Sequence, residues 1–281
     1  YSAAKDIDAR LKQRLRALGM FLNDVYGDQR IIAEGIVDQS ALVMGSTAEN
    51  LHDRFPELTK ERADAYAVRS QDKLEAAYAA GKIQPGLVAI ATRHQELGWV
   101  LASVDEPPRP GTTLQDLAAL KTPFRAHGRV TAGNSAGLND GATACLLASE
   151  EAAAELGLPV RMRLVSYSFV GVEPEIMGIG PVPATEKALR TAGLGIDDIG
   201  LFELNEAFAV QVLASARRLG LDPETLNADG GAIALGHPLG SSGSRLIVTL
   251  LGRLEREGGS RGLATMCVGV GQGASMLIER V

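Results

Sequence analysis

The chain has 281 residues, enough to bury the core of one large domain or two smaller ones. Apolar residues make up 46% and charged residues 22%, the balance of an ordinary soluble globular protein, and a net charge of -6 disfavours a dedicated nucleic-acid binder. No apolar run approaches the roughly 20 residues of a membrane span. The two cysteines, Cys145 and Cys267, exclude a disulfide framework or a cysteine-rich zinc module and leave a reducing, cytoplasmic setting as the expectation.

The chain starts at Tyr1 and not at Met, which reads as a processed product or a fragment. From Tyr1 to about Val130 the pattern is helical and irregular. Leu11, Leu15, Leu18 and Leu22 fall on one helical face. "GSTAENLHDRF" has Ser46 with Glu49 three residues later, the spacing of a capping box. "TKERADAYAVRSQDKLEAAYAAGK" predicts a long helix with Thr59 as N-cap and Gly81 as its stop. Pro107, Pro108 and Pro110 then forbid regular structure.

Beyond about Val130, glycine-punctuated strands alternate with helices. "DGATACLLASEEAAAELG" predicts a helix running from near Asp140 to Gly157, with Cys145 on its apolar side. "RMRLVSYSFVG" reads as a strand, "ATEKALRTAG" as a helix and "IGLFELN" as a short strand. "EAFAVQVLASARRLG" and "GSSGSRLIVTLLGRLEREGG" read as helices, and "GLATMCVGVGQGASMLIERV" as two strands about a glycine turn. That alternation argues for an α/β layered half-domain.

Four small or polar clusters sit at element junctions, where α/β folds build their sites: "VTAGNSAGLNDGA", "NEAF", "GHPLG" and "CVGVGQG". His237, between Gly236 and Pro238, is either a turn residue or a proton carrier in a corner where backbone comes close. Cys267 is either a small core hydrophobe or a thiol facing the free N–H groups of the glycine turn behind it. Asn205 is either a helix N-cap or an amide that holds a water or an oxyanion. His52, His94 and His127 lack such a setting and read as surface or core histidines. The cations between Arg109 and Arg129 read as a solvated face.

Taken in order, "NEAFAVQVLA", "NADGGAIALGHPLGSSGSR" and "CVGVGQGASMLIERV" resemble the thiolase family, and "VTAGNSAGLNDGA" and "MGSTAENLHDRF…RADAYAVRSQDK" extend the likeness from about Asp38 to Val281. The resemblance implies exchange between CoA thioesters: a 3-ketoacyl-CoA split by free CoA into acetyl-CoA and a shorter acyl-CoA, or the reverse condensation, in fatty-acid degradation (β-oxidation). CoA and acyl-CoA enter as substrates, with no metal and no other cofactor. Homodimers or tetramers, and a β-oxidation multienzyme partner, are the implied assemblies, with no nucleic acid and no membrane.

The resemblance also implies roles. His237 activates a nucleophilic cysteine and, with a water held by Asn205, binds the thioester oxygen. Cys267 is the acid/base, and the N–H of Gly269 belongs to a second oxyanion hole. Arg109 packs on the adenine, and Met44 lines the pantetheine tunnel. Ser135, Ala136 and Ala207 lie along the CoA, Ala136 standing where the family often has a pantetheine-contacting Ser. Thiolases carry their nucleophile in a "C-x-S-G" motif in the first half, which this sequence lacks. The expected architecture is therefore a thiolase-like layered α/β fold with its N-terminal half-core missing. A mostly helical, CoA-covering loop domain spans residues 1–122 and the C-terminal α/β half-core residues 123–281. The alternatives are a non-catalytic CoA-binding or interaction protein with a thiolase half-fold, and a condensing enzyme of the ketoacyl-synthase type. The last is expected to use two histidines where this chain has His237 and Cys267.

Overall fold

The structure, a computed structural model, describes Ala41 and residues 43–281. The amphipathic stretch Leu11 to Leu22 lies outside the described residues. The first described lobe holds helices α1 (Met44–Arg54) and α2 (Lys60–Ala79), a hairpin of β1 (Ile90–His94) and β2 (Gly98–Ala102), and the short helix α3 (Leu114–Ala118). Thr59 caps α2 as its sequence demands, its hydroxyl accepting from the Arg62 N–H. Thr113 and Asp116 form a reciprocal capping box on α3.

Ser46 and Glu49 do not form the expected box. The helix already begins at Met44, which puts Ser46 inside it. Glu49 is buried instead, and its carboxylate accepts from the N–H groups of Arg129 and Val130, pinning the following chain to α1. The hairpin was not foreseen either. β1 is exposed throughout and the exposed face of β2 carries the apolar Trp99 and Leu101, so the sequence has no alternation of apolar and polar residues to mark a strand pair.

The second lobe is a four-stranded mixed sheet in the order β3-β6-β5-β4, with β3 (Met162–Gly171), β4 (Leu201–Leu204), β5 (Arg261–Val268) and β6 (Gln272–Arg280). β4 and β5 run parallel, and the other neighbours antiparallel. Helix α4 (Glu150–Glu155) precedes the sheet. Helices α5 (Pro181–Ala192) and α6 (Ala209–Leu219), the single turn α7 (Ala232–Leu235) and the long α8 (Ser242–Glu257) complete it. The two-residue period of β5 sorts the layers: Leu263 and Cys267 enter the main core with α6, whereas Ala264 and Met266 pack under α8.

The helix expected from Asp140 to Gly157 survives only as α4. Residues 140–149 have no regular structure and are largely exposed, with Leu146 and Leu147 about four-fifths uncovered and Cys145 at the surface. Cys145 is therefore not a core residue. A short helix draws most of its stability from a packed apolar face; Thr143 Oγ1 lies 2.7 Å from Ser241 Oγ, but Leu146 and Leu147 are covered by none of the described residues. Also among the described residues, no helix is long and apolar enough to cross a membrane.

Gly273 is paired with Cys267 across the β5–β6 ladder, and a Cβ there would run into the backbone of Gly180 at the start of α5. Backbone can yield only by moving an element. We expect Gly273→Ala to cost about 1–3 kcal/mol, read as a lower urea midpoint at unchanged slope.

Candidate active site

The parallel pair β4–β5 delivers two of the singled-out residues to one edge of the sheet. Asn205 follows the last residue of β4, and its N–H donates to Thr265 O at 2.9 Å, continuing the ladder. Cys267 lies two residues further along β5. Asn205 is fully buried and is no N-cap, because α6 starts only at Ala209 behind Phe208.

His237 arrives from the other side. Its N–H donates to Gly137 O at 2.8 Å and to Asn139 Oδ1 at 3.3 Å, so "AGLND" and "GHP" are stitched together. Gly236 has φ +92, and a Cβ there would strike the Asn139 side chain, so the glycine before this histidine answers both needs. The ring is wedged between two polar side chains. Its Nε2 stands 3.3 Å from Asn205 Nδ2, and its Nδ1 is 2.6 Å from Ser242 Oγ. Asn205 Oδ1 is buried and has no partner among the described residues.

Burial, reinforced by the Arg245 guanidinium, draws His237 down to about 4, so the ring is neutral and able to accept a proton near neutral pH. Burial acts the other way on Cys267 and pushes the thiol up to about 12. Among the described residues no hydrogen bond joins Cys267 to His237; the thiol packs in the main core that also holds Ala207 and Phe208. Gly269 stands in the turn behind it. Its carbonyl accepts from Gln272 Nε2 at 3.2 Å, and among the described residues its N–H donates to no partner.

The remaining residues spread along the lobe boundary. Met44 opens α1 and is half-buried against the main core. The Ser135 hydroxyl donates to Thr131 O at 2.7 Å and is spent within its own turn. Ala136 N–H donates to Ala207 O at 3.0 Å, which ties "GNSAG" to "NEAF". Arg109 is exposed, and its N–H donates to Gln71 Oε1 at 3.0 Å. Beside it is a cavity of about 310 Å³ lined by Gln71, Glu75, Tyr78, Val104, Asp105, Pro108 and Pro110. This lining is acidic and includes neither His237 nor Cys267. Among the described residues, no group of three or more His, Cys, Asp or Glu is arranged to hold a metal ion.

Reading the motifs missed Glu206, Asn227, Asn139 and Ser242. Each lies inside a quoted motif, but their work is to hold other residues. No spacing rule reveals such a role.

The description "Thiolase, N-terminal domain" matches residues 6–151, and "Thiolase, C-terminal domain" matches residues 158–280. The chain is 49% identical over 237 residues to an acetyl-CoA acetyltransferase of Pseudomonas aeruginosa, covering 84% of this chain and 60% of that one. It is 51% identical over 240 residues to a beta-ketoadipyl-CoA thiolase of the same organism, covering 85% and 59%. The crystal structure of the Bacillus anthracis acetyl-CoA acetyltransferase superposes with a TM-score of 0.82 at 44% identity, covering 85% of this chain and 60% of that one. The chain belongs to the thiolase family, and it spans about 60% of the length of these relatives. Both domain models find a match in it, so the expected absence of the N-terminal half-core is not confirmed.

His237 binds its proton more weakly folded than unfolded, where its ordinary value is 6.5. Its contribution to stability is complete above about 6.5 and is lost as pH falls toward about 4. We expect urea stability to drop between pH 7 and pH 4.5, with a shallower drop in His237→Gln. Iodoacetamide at pH 8 should alkylate exposed Cys145 and leave Cys267 unmodified, as peptide mass spectrometry would show.

Proposed function

We propose that this chain carries the acid/base and oxyanion part of an acyl-CoA:acetyl-CoA C-acyltransferase centre, acting on 3-ketoacyl-CoA and CoA in fatty-acid degradation. The observation that carries the reading is the buried pair of His237 Nε2 and Asn205 Nδ2, 3.3 Å apart, at the sheet edge where β5 carries Cys267 as its next-to-last residue. A protein that only binds CoA has no need of a buried histidine held between an amide and a hydroxyl. The relatives' names, acetyl-CoA acetyltransferase and beta-ketoadipyl-CoA thiolase, support the CoA-thioester class of substrate.

In this reading His237 Nε2 takes the proton of a nucleophilic thiol, which attacks the 3-keto carbon. The resulting N–H, with a water on the Asn205 amide, then faces the oxyanion. When the C–C bond breaks, the departing enolate takes the Cys267 proton and leaves as acetyl-CoA. The Cys267 thiolate next removes the proton of incoming CoA, whose sulfur attacks the acyl-thioester; the shortened acyl-CoA is released, and the nucleophile, expelled as a thiolate, takes back its proton from His237 Nε2. Gly269 N–H is assigned to the second oxyanion site. Arg109, Met44, Ser135, Ala136 and Ala207 are assigned to the CoA path, and residues 1–122 to a lobe that covers it.

The nucleophilic thiol is assigned outside this sequence. Of its two cysteines, Cys145 sits on an exposed irregular segment and Cys267 is already the proton carrier. The test is thiolysis of acetoacetyl-CoA by the 281-residue chain, alone and mixed with a separately made thiolase N-terminal segment. We expect no turnover from the chain alone. The mixture should turn over, lose activity in His237→Ala, and fall by roughly a hundredfold or more in Asn205→Ala. Turnover by the chain alone that vanishes in Cys145→Ser would overturn this and make Cys145 the nucleophile.

A further inference from the structure

We infer that Ser242 is a positioning residue that holds the His237 ring as the Nδ1–H tautomer and so keeps a lone pair on Nε2, facing Asn205. Ser242 is the first residue of α8 and is fully buried. Its Oγ lies 2.6 Å from His237 Nδ1 and 3.0 Å from Pro238 O. A hydroxyl has one proton to give. The Pro238 carbonyl can only accept, so a hydroxyl that donates there meets the imidazole as an acceptor, and the ring nitrogen facing it carries the hydrogen. The Asn205 amide then donates from Nδ2 to the bare Nε2, in keeping with the 3.3 Å contact.

The mirror arrangement is self-consistent on paper. The hydroxyl would donate to Nδ1, the ring hydrogen would sit on Nε2, and Asn205 would turn its Oδ1 inward. That arrangement leaves Nε2 unable to accept a thiol proton. The choice between the two therefore rests in part on the acyl-transfer reading above, whereas the Ser242 contact itself does not.

The anchoring is local and stiff. Ser242 N–H donates to Pro238 O at 2.9 Å, so the serine backbone and the carbonyl that takes its hydroxyl proton belong to one turn. The His237 N–H is fixed independently by Gly137 O and Asn139 Oδ1. With backbone and Nδ1 both held, the ring keeps little rotational freedom about χ2, and Nε2 points one way. A serine in this place does for the ring what a carboxylate does in other catalytic histidines, without placing a negative charge beside a base that must stay neutral.

The experiment is a long-range 15N–1H spectrum of the histidine-labelled 281-residue chain near pH 7.5, with His237 assigned by its disappearance in His237→Gln. We expect His237 to show a protonated Nδ1 and a bare Nε2. In Ser242→Ala that pattern should collapse toward a protonated or averaged Nε2, and Ser242→Thr should keep it. His52, His94 and His127 report on the integrity of the fold in the same spectrum. A wild-type His237 protonated on Nε2, or a Ser242→Ala spectrum identical to wild type, overturns the inference. Should Ser242→Ala fail to fold, the wild-type and Ser242→Thr spectra still decide it. The measurement needs no turnover: a chain that never supports acyl transfer but shows the Nδ1–H pattern sinks the proposed function and leaves Ser242 in its role. In a mixture active for thiolysis, Ser242→Ala should lower kcat about tenfold or more with KM within about twofold, since a lost tautomer affects proton transfer and not binding.

Discussion

The site hangs on one buried carboxylate. Glu206 accepts from Tyr66 Oη at 2.8 Å, Ser70 Oγ at 2.6 Å, Asn227 Nδ2 at 2.9 Å and the Ile233 N–H at 3.1 Å. These donors come from three separate places: α2 of the first lobe, the loop after α6, and the turn α7. A buried carboxylate lacking part of this set costs several kcal/mol, so the four must be assembled together or not at all. Burial and the carboxylate itself hold the Tyr66 phenol well above its usual range, which keeps it a donor. Since Glu206 follows Asn205 in the chain and Ile233 precedes His237 by four residues, satisfying one carboxylate places both members of the buried Asn205–His237 pair. The first lobe is thus part of the site's foundation and not merely a cover over it.

A second set of bonds fixes the sheet end beneath. The amide of Asn227 accepts from Leu204 N–H at 2.9 Å and donates to Leu204 O at 2.8 Å, serving the free edge of β4 as a neighbouring strand would. Arg253 of α8 reaches under the same strand and donates to Glu203 Oε1 at 2.8 Å and to Phe202 O at 3.3 Å. The helix whose first residue touches His237 is therefore anchored, three turns later, to the strand that carries Asn205. Removing either member of the Glu203–Arg253 pair would strand a buried charge, so the pair specifies how helix and strand sit against each other more than it adds net stability.

How much of this was legible in the sequence depends on where the determining force lies. The strands and helices beyond Val160 were readable because their apolar periods match the layers they pack into. The glycine corners were readable because backbone geometry there leaves few alternatives. The stretch around Cys145 was misread because its alanines and leucines favour a helix locally, while a helix needs a packed face that the described residues do not offer. Ser46 and Glu49 have the spacing of a cap, yet Glu49 found two backbone donors across the lobe, a contact some 80 residues away that no local rule contains. Glu206 and Asn227 escaped notice for the same reason. Their importance is the number of distant donors and acceptors they satisfy, and such counts exist only in three dimensions.

Burial acts in opposite directions on the two candidate proton carriers. Burial favours the neutral form of any titratable group, which draws an imidazole down and pushes a thiol up. At neutral pH His237, at about 4, is therefore unprotonated, and Cys267, at about 12, holds its proton. One can accept and the other can donate, although neither carries a charge that the core would have to solvate. A charged base in this place would need a counter-ion, and Asn205, an amide with a free Oδ1, supplies none. The two hydrogen-bond partners of the His237 ring, an amide at Nε2 and a hydroxyl at Nδ1, are themselves uncharged and so suit a neutral ring.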